Sequence, residues 1–183
     1  LMNTVPIDTI YNSGSDYNSQ LYENYHQMAE QNNIPIKSLS AGDQVAIDPA
    51  LRLFVYGPSG ISSSSNVNNR SFVLELIYGQ TEFLFTGDAE EQQEHHLIKR
   101  YPELLDTDFL KVAHHGSRTS SQTNLLTLAS PDIGIVSLAK QNRFGHPHAE
   151  ATRRLHQYIP NLYFTSLNKA ETFISDGVII YRK

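Results

Sequence analysis

Apolar and polar positions alternate along this chain in short blocks whose period switches repeatedly between helical and extended. Residues 5–12 carry a strand pattern, and a turn follows at Asn12–Ser15 around Gly14. Leu21, Tyr22, Tyr25, Met28 and Ala29 then recur at helical spacing and predict a helix over 17–32, with Asp16 as its N-cap. Ile34-Pro35-Ile36 opens an extended stretch, Gly42-Asp43 turns the chain into a strand at Gln44–Ile47, and Leu51–Tyr56 is the next. Serine and asparagine crowd Ser59–Asn69, which predicts a loop. A hairpin follows, Phe72–Tyr78 and Glu82–Phe85 about Gly79-Gln80. After it the pattern becomes regular. Helices are predicted over 89–100 with acidic Glu90 and Glu91 at the start, over 121–129 behind a serine cap, and from Pro147 at a first turn to Tyr158. Strands Phe109–Ala113, Ile133–Leu138 and Leu162–Ser166 separate and follow them. Glu171–Ile174 and Val178–Tyr181 close the chain around Asp176-Gly177. Alternation of this kind predicts one α/β layered unit over 1–183.

Composition narrows the class. Hydrophobic residues make up 39% and charged residues 18%, which is the balance of a folded chain and not of a disordered one. No apolar run reaches the length of a membrane-spanning helix. A formal net charge of −5 opposes bulk attraction to nucleic acid, although Lys140, Arg143, Arg153 and Arg154 can form a local positive surface. Cysteine is absent, so disulfides and thiolate metal ligands are excluded. Val5–Tyr11 reads as a strand already under way, which leads us to expect a fragment of a longer chain.

The chemistry collects where predicted strands end. Phe83-Leu84-Phe85-Thr86-Gly87 delivers Asp88 at a strand tip, where α/β folds open their binding crevice. An ionised carboxylate there can bridge two cations; it can equally cap the helix that starts at Ala89, and both readings stay open. The strand Phe109–Ala113 delivers His114-His115-Gly116-Ser117. Imidazole is the commonest protein metal ligand, and on an extended chain adjacent side chains face opposite ways, so one of the two histidines is expected to ligate and the other to pack or meet substrate. Asn142-Arg143-Phe144-Gly145-His146-Pro147-His148 follows the next strand and can present a histidine to the same cleft.

Taken together, Thr86-Gly87-Asp88, the block Leu110–Ser117 with Thr119-Ser120-Ser121, and Arg143–His148 resemble the metallo-β-lactamase superfamily. Within it, the likeness is to the branch found as the C-terminal soluble domain of ComEC-type DNA-uptake proteins and their stand-alone relatives. Asn68-Asn69-x-Ser71 before Phe72-Val73-Leu74 resembles that branch, which has asparagine where many members carry a metal-binding histidine. The likeness runs from Val5 to Tyr181.

This resemblance implies an αββα sandwich of two similar halves with a one- or two-metal site between the sheets. The His-x-His-x-Asp-His motif of the first half does not occur in the chain, so an incomplete, mainly second-half version of the fold is expected. Asp88 matches the bridging aspartate, and the His114-His115 pair contains the last metal ligand, with His115 favoured. His146 and Asn69 take the catalytic positions; Ser117, Arg143 and His148 are the expected substrate contacts. Zinc or manganese suits such a donor set. The implied reaction is phosphodiester hydrolysis, with DNA as a possible substrate, by a water activated between two metals. Only half of the ligands are present, so metal binding is expected to be weak and this fragment inactive by itself. The alternative is a non-catalytic, truncated or degenerate homologue that acts as a binding or assembly module. The expected partners are a missing N-terminal half or the remainder of a longer chain, and a second copy docking on an uncovered sheet face. A periplasmic or extracellular-facing location in a bacterium is implied by the resemblance, with the cytoplasm left open.

Overall fold

Seven strands hydrogen-bond into one sheet in simple chain order. The structure is a computed structural model and describes residues 2, 4–58, 66–168 and 170–183. The sheet runs β3 (Gln44–Asp48), β4 (Leu51–Gly57), β5 (Val73–Tyr78), β6 (Thr81–Phe85), β7 (Phe109–Lys111), β8 (Ile133–Val136) and β9 (Asn161–Phe164). Neighbours from β3 to β6 are antiparallel, with tight turns joining β3 to β4 and β5 to β6, whereas β6 to β9 are parallel. Parallel neighbours need crossovers, and these are α2 (Glu91–Arg100), α3 (Thr123–Ala129) and α4 (Ala149–Tyr158).

Alternation along the strands sorts the two faces of the sheet. Val73, Leu84, Leu110 and Val136 are fully buried and share a core with Leu97, Leu125, Leu126 and Leu155 of the three helices. Burying each such side chain contributes roughly 1.5–3 kcal/mol, so this face holds the layers together. The opposite face carries an aromatic row, with Phe83 and Phe109 at 5.4 Å between ring centroids and Phe109 and Phe173 at 5.2 Å. Phe173 belongs to β10 (Phe173–Ser175), which pairs with β11 (Ile180–Arg182) as a separate hairpin.

Several predicted boundaries shift. The strand predicted over 5–12 contracts to β1 (Ile10–Asn12), parallel to β2 (Ile36–Ser38) across α1 (Gln20–Gln31). Ser19, not Asp16, caps α1, because the Ser19 hydroxyl reaches the Tyr22 amide at 3.2 Å while Asp16 accepts from the Tyr22 hydroxyl. The serine cap expected for α3 is replaced as well. Its N-cap is Gln122, with no capping side chain of its own, and the buried Glu94 carboxylate of α2 accepts from the amides of Ser121 and Gln122. Pro147 precedes the N-cap His148 and does not enter the first turn of α4. The last predicted sheet strand stops at Phe164 and turns into the short helix α5 (Thr165–Asn168). The closing hairpin slides toward the C-terminus because the Asp176 carboxylate takes the amides of Val178 and Ile179, each at 2.9 Å, into the turn. Of the predicted loop Ser59–Asn69, residues 59–65 lie outside the described residues, and Val67–Arg70 form a 3-10 turn.

Candidate metal centre

The parallel half of the sheet aligns the C-terminal tips of β6, β7 and β8, and the candidate residues sit on the segments that leave them. Thr86 ties the first two tips together by donating from its hydroxyl to the Lys111 carbonyl at 2.7 Å. Gly87 follows with φ +54°, where an added Cβ would lie 2.9 Å from Ser71 Cβ and 3.0 Å from the Phe72 carbonyl oxygen. Only glycine fits both the left-handed backbone and the space. The turn projects Asp88, whose amide donates to the Ser71 hydroxyl at 3.1 Å.

His114 and His115 are not on an extended chain, which overturns the expectation that they face opposite ways. β7 ends at Lys111, and both histidines are left-handed, with φ of 46° and 55°. One tertiary and one local bond hold this strained turn: the His114 amide donates to the Gly87 carbonyl at 3.0 Å, and the Ser117 amide to the His114 carbonyl at 2.9 Å. Both rings therefore reach the same cluster, His114 Nδ1 at 3.2 Å from Glu90 Oε1 and His115 Nε2 at 3.6 Å from Asp88 Oδ1. The other nitrogen of His115, Nδ1, lies 2.6 Å from the Ser137 carbonyl oxygen. A carbonyl only accepts, so Nδ1 carries a proton, and Nε2 is the nitrogen that faces the Asp88 carboxylate.

The loop after β8 supplies the third histidine. Asn142 fixes it, accepting from the amides of Phe144 at 3.2 Å and His146 at 3.0 Å and donating to the His146 carbonyl at 2.7 Å. The His146 ring lies 5.3 Å from that of His114 and 4.8 Å from that of His148, and it stands nearly parallel to His115 at 6.3 Å. Burial and the neighbouring imidazoles push the His146 pKa down, so it is uncharged at neutral pH. His148 accepts from the Arg118 amide through Nδ1 at 3.0 Å, leaving its proton on Nε2. Beside the cluster is a cleft of about 390 Å³, lined by His115, Leu138, Asn142, Phe144, His146 and Thr165 among others.

Two expected residues stand apart from this cluster. Asn69 is buried, and its side-chain oxygen accepts from the amides of Glu90 and Gln93 while its amide donates to Gln92, so it is committed to the N-terminus of α2. Ser117 is buried too, with its hydroxyl 2.9 Å from that of Thr119. Arg143 packs its guanidinium over Phe144 at 4.8 Å, on the rim. The structure also brings in residues that the sequence reading did not include. Glu90 is gripped by the side-chain amides of Asn66 and Asn68, each at 2.8 Å, and Ser137 orients His115 through its backbone. Lys111 donates to the Val112 carbonyl at 3.1 Å, and its burial lowers its pKa against the pull of Asp88.

No family model matches the chain. It is 30% identical over 156 residues to ComE operon protein 3 of Bacillus subtilis, covering 85% of this chain and 19% of that protein. It is 32% identical over 106 residues to competence protein ComA of Neisseria gonorrhoeae, covering 58% of this chain and 15% of that protein. Among solved structures, one assigned as a metal-dependent hydrolase from Parabacteroides distasonis superposes with a TM-score of 0.50 at 14% identity, over 90% of this chain and 79% of that one. A Zn-dependent hydrolase assigned to the metallo-β-lactamase superfamily from Thermotoga maritima superposes with a TM-score of 0.43. The chain has a metallo-β-lactamase-like fold and is similar to one segment of the competence proteins. It spans less than a fifth of the length of these two curated relatives.

The likeness to metal-dependent hydrolases implies a divalent metal, and the residues present fit one in part. Asp88 and His115 bring a carboxylate oxygen and an imidazole nitrogen within 3.6 Å of each other, both donors that divalent ions accept. Among the described residues, no group of three histidine, cysteine or carboxylate side chains converges on one point. Two protein ligands are fewer than a catalytic zinc ordinarily has. Likewise, no described helix is long and apolar enough to cross a membrane.

Proposed function

We propose that this chain carries the second-half ligands of a metal-dependent phosphodiesterase centre, Asp88 and His115, and that groups other than its described residues complete the shell. The observation that supports this most is the orientation of His115, whose Nδ1 is held by the Ser137 carbonyl while Nε2 faces Asp88 at 3.6 Å. A divalent ion, zinc or manganese, would acidify water and offset phosphate charge there. The chain's own residues do the remaining work. Asp88 and His115 would hold the ion, and the Ser137 carbonyl would keep the His115 ring oriented for it. His114 is held beside Glu90 as a second donor from the same turn. Neutral His146 hydrogen-bonds a phosphate oxygen without adding charge, and His148 Nε2–H and Arg143 are further contacts to the substrate.

On this reading the 183-residue chain binds metal weakly and turns over poorly by itself. Titration calorimetry with zinc and with manganese, followed by an assay on a chromogenic phosphodiester, tests it. We expect binding far weaker than the roughly 10–16 kcal/mol of structural zinc sites. Tight binding with multiple turnovers would reject the partial-shell reading. A second reading, a non-catalytic binding or assembly module, is favoured by the lack of a third converging ligand among the described residues. It predicts that even a protein with a complete shell leaves phosphodiesters intact.

A further inference from the structure

Phe144 stands on the rim of the cleft beside the histidine cluster with 61% of its surface exposed. Asn142 fixes the backbone that carries this ring by accepting from the amides on both sides of Gly145, those of Phe144 and His146. Phe144 lies 5.8 Å from His146 at an interplanar angle of 23°, and His146 lies 6.3 Å from His115 at 26°. Three nearly parallel rings thus lead from the rim to the residue that faces Asp88.

Apart from the two imidazoles, several polar groups of the cleft are already in use. The Thr165 hydroxyl accepts from the Leu138 amide at 2.8 Å and donates to the Leu138 carbonyl at 2.9 Å. Asn142 is spent on the loop, and the Ser137 carbonyl on His115. Beside the imidazoles, Leu138, Ala139 and the ring of Phe144 give the cleft an apolar wall. Such a surface selects a planar ring by its faces and reads no hydrogen-bond pattern on its edges. The Arg143 guanidinium over Phe144 supplies a second plane and a positive charge. A volume of about 390 Å³ lies in the range of small-molecule sites.

We propose that the Phe144 face is a stacking subsite for an unpaired nucleobase whose phosphate lies toward Asp88 and His115. The inference rests on the phosphodiester reading for the identity of that neighbouring phosphate. The preferred ligand is a single strand, because the base faces of a duplex are already covered by their neighbours. Binding through this subsite tolerates any base, since every base has a ring face to offer.

The chain contains no tryptophan, so Phe144→Trp installs one fluorophore at the subsite. Titration of this variant of the full chain with a single-stranded oligonucleotide should quench its fluorescence. A strand with the same phosphates and abasic sugars should bind more weakly by about five- to a hundredfold, the usual worth of one stacked base. In anisotropy titrations, Phe144→Ala should lose the same factor for the base-bearing strand and almost nothing for the abasic one, and Phe144→Tyr should retain binding. A free mononucleotide matching the strand in affinity would place small nucleotides in the same subsite, and far tighter strand binding would favour polymers; either outcome supports stacking. Equal binding of abasic and base-bearing strands, or no binding of either, overturns the proposal. These readouts need neither metal nor turnover. A protein with a complete metal shell that leaves phosphodiesters intact while base-dependent binding persists would therefore sink the phosphodiesterase reading and leave the subsite standing.

Discussion

His115 Nδ1 donates to the carbonyl oxygen of Ser137 at 2.6 Å, so the tip of β8 decides which nitrogen of the β7 histidine faces Asp88. Tautomer and orientation are set together by one backbone group. This is how outer contacts commonly prepare a metal-binding imidazole.

That relationship predicts a spectrum. Long-range nitrogen–proton correlation on the full chain above neutral pH should show His115 with its proton on Nδ1 and His148 with its proton on Nε2. Zinc should then perturb His115 Nε2 before any other imidazole nitrogen, and Asp88→Ala should blunt that response. A His115 proton found on Nε2 would remove the main support for the ligand assignment.

Asn69 offers a sharp choice between two roles. Its oxygen takes two amides at the start of α2, so Asn69→Ala should cost about 1–2 kcal/mol of stability, the ordinary worth of a helix cap. Asn69→Asp should recover most of that loss, because a carboxylate caps the positive end of a helix equally well. Thermal melts of both variants decide the matter. An unchanged melting temperature in Asn69→Ala would return the residue to the catalytic role expected from the resemblance.

The legible parts of this chain were those governed by local rules. The β5–β6 hairpin follows from a period of two about Gly79-Gln80, and the clusters after β6, β7 and β8 follow from where apolar runs end. What escaped depends on distant partners. The left-handed turn at His114-His115 is enforced by a bond to Gly87, some 27 positions upstream, and nothing in His-His-Gly-Ser by itself announces it. Asn69 resembled a site residue because its partners, Glu90 and Gln93, belong to a helix that begins about 20 residues later. The amides before α3 find their carboxylate on α2, at Glu94, so the local serines misled.

Buried carboxylates give the fold a pH dependence with a definite sign. Burial pushes Glu94 up to about 7 despite two backbone donors, and pushes Glu75 up to about 7 although the Tyr56 hydroxyl donates to it. Both start from 4.5 in an unfolded chain, so between 4.5 and 7 the folded state holds protons that the unfolded state has released. Their stabilisation is complete below pH 4.5 and is lost as pH rises through 7, on the order of 3 kcal/mol for each group. Urea denaturation from pH 5 to pH 8 should therefore show falling stability, with a shallower slope in Glu94→Gln. A slope identical to that of the unsubstituted chain would show that Glu94 does not titrate in this window.

Gly87 links the fold to the candidate centre most directly. A methyl group there would meet Ser71 Cβ at 2.9 Å and the Phe72 carbonyl at 3.0 Å, on a backbone with φ +54°. The first contact is with the residue whose hydroxyl receives the Asp88 amide, and the Gly87 carbonyl is the acceptor that holds the His114 amide. Gly87→Ala should thus do two things at once. Stability should fall by roughly 1–3 kcal/mol through overpacking and backbone strain. Zinc affinity should fall further than that of a variant equally destabilised elsewhere, such as Gly134→Ala, whose new methyl would press on Ile159 in the core at 2.8 Å. Comparing the two variants at matched fraction folded separates the effects. If both lose metal affinity equally, the Gly87 turn contributes only to stability, and the coupling of Asp88 to His114 through it must be given up.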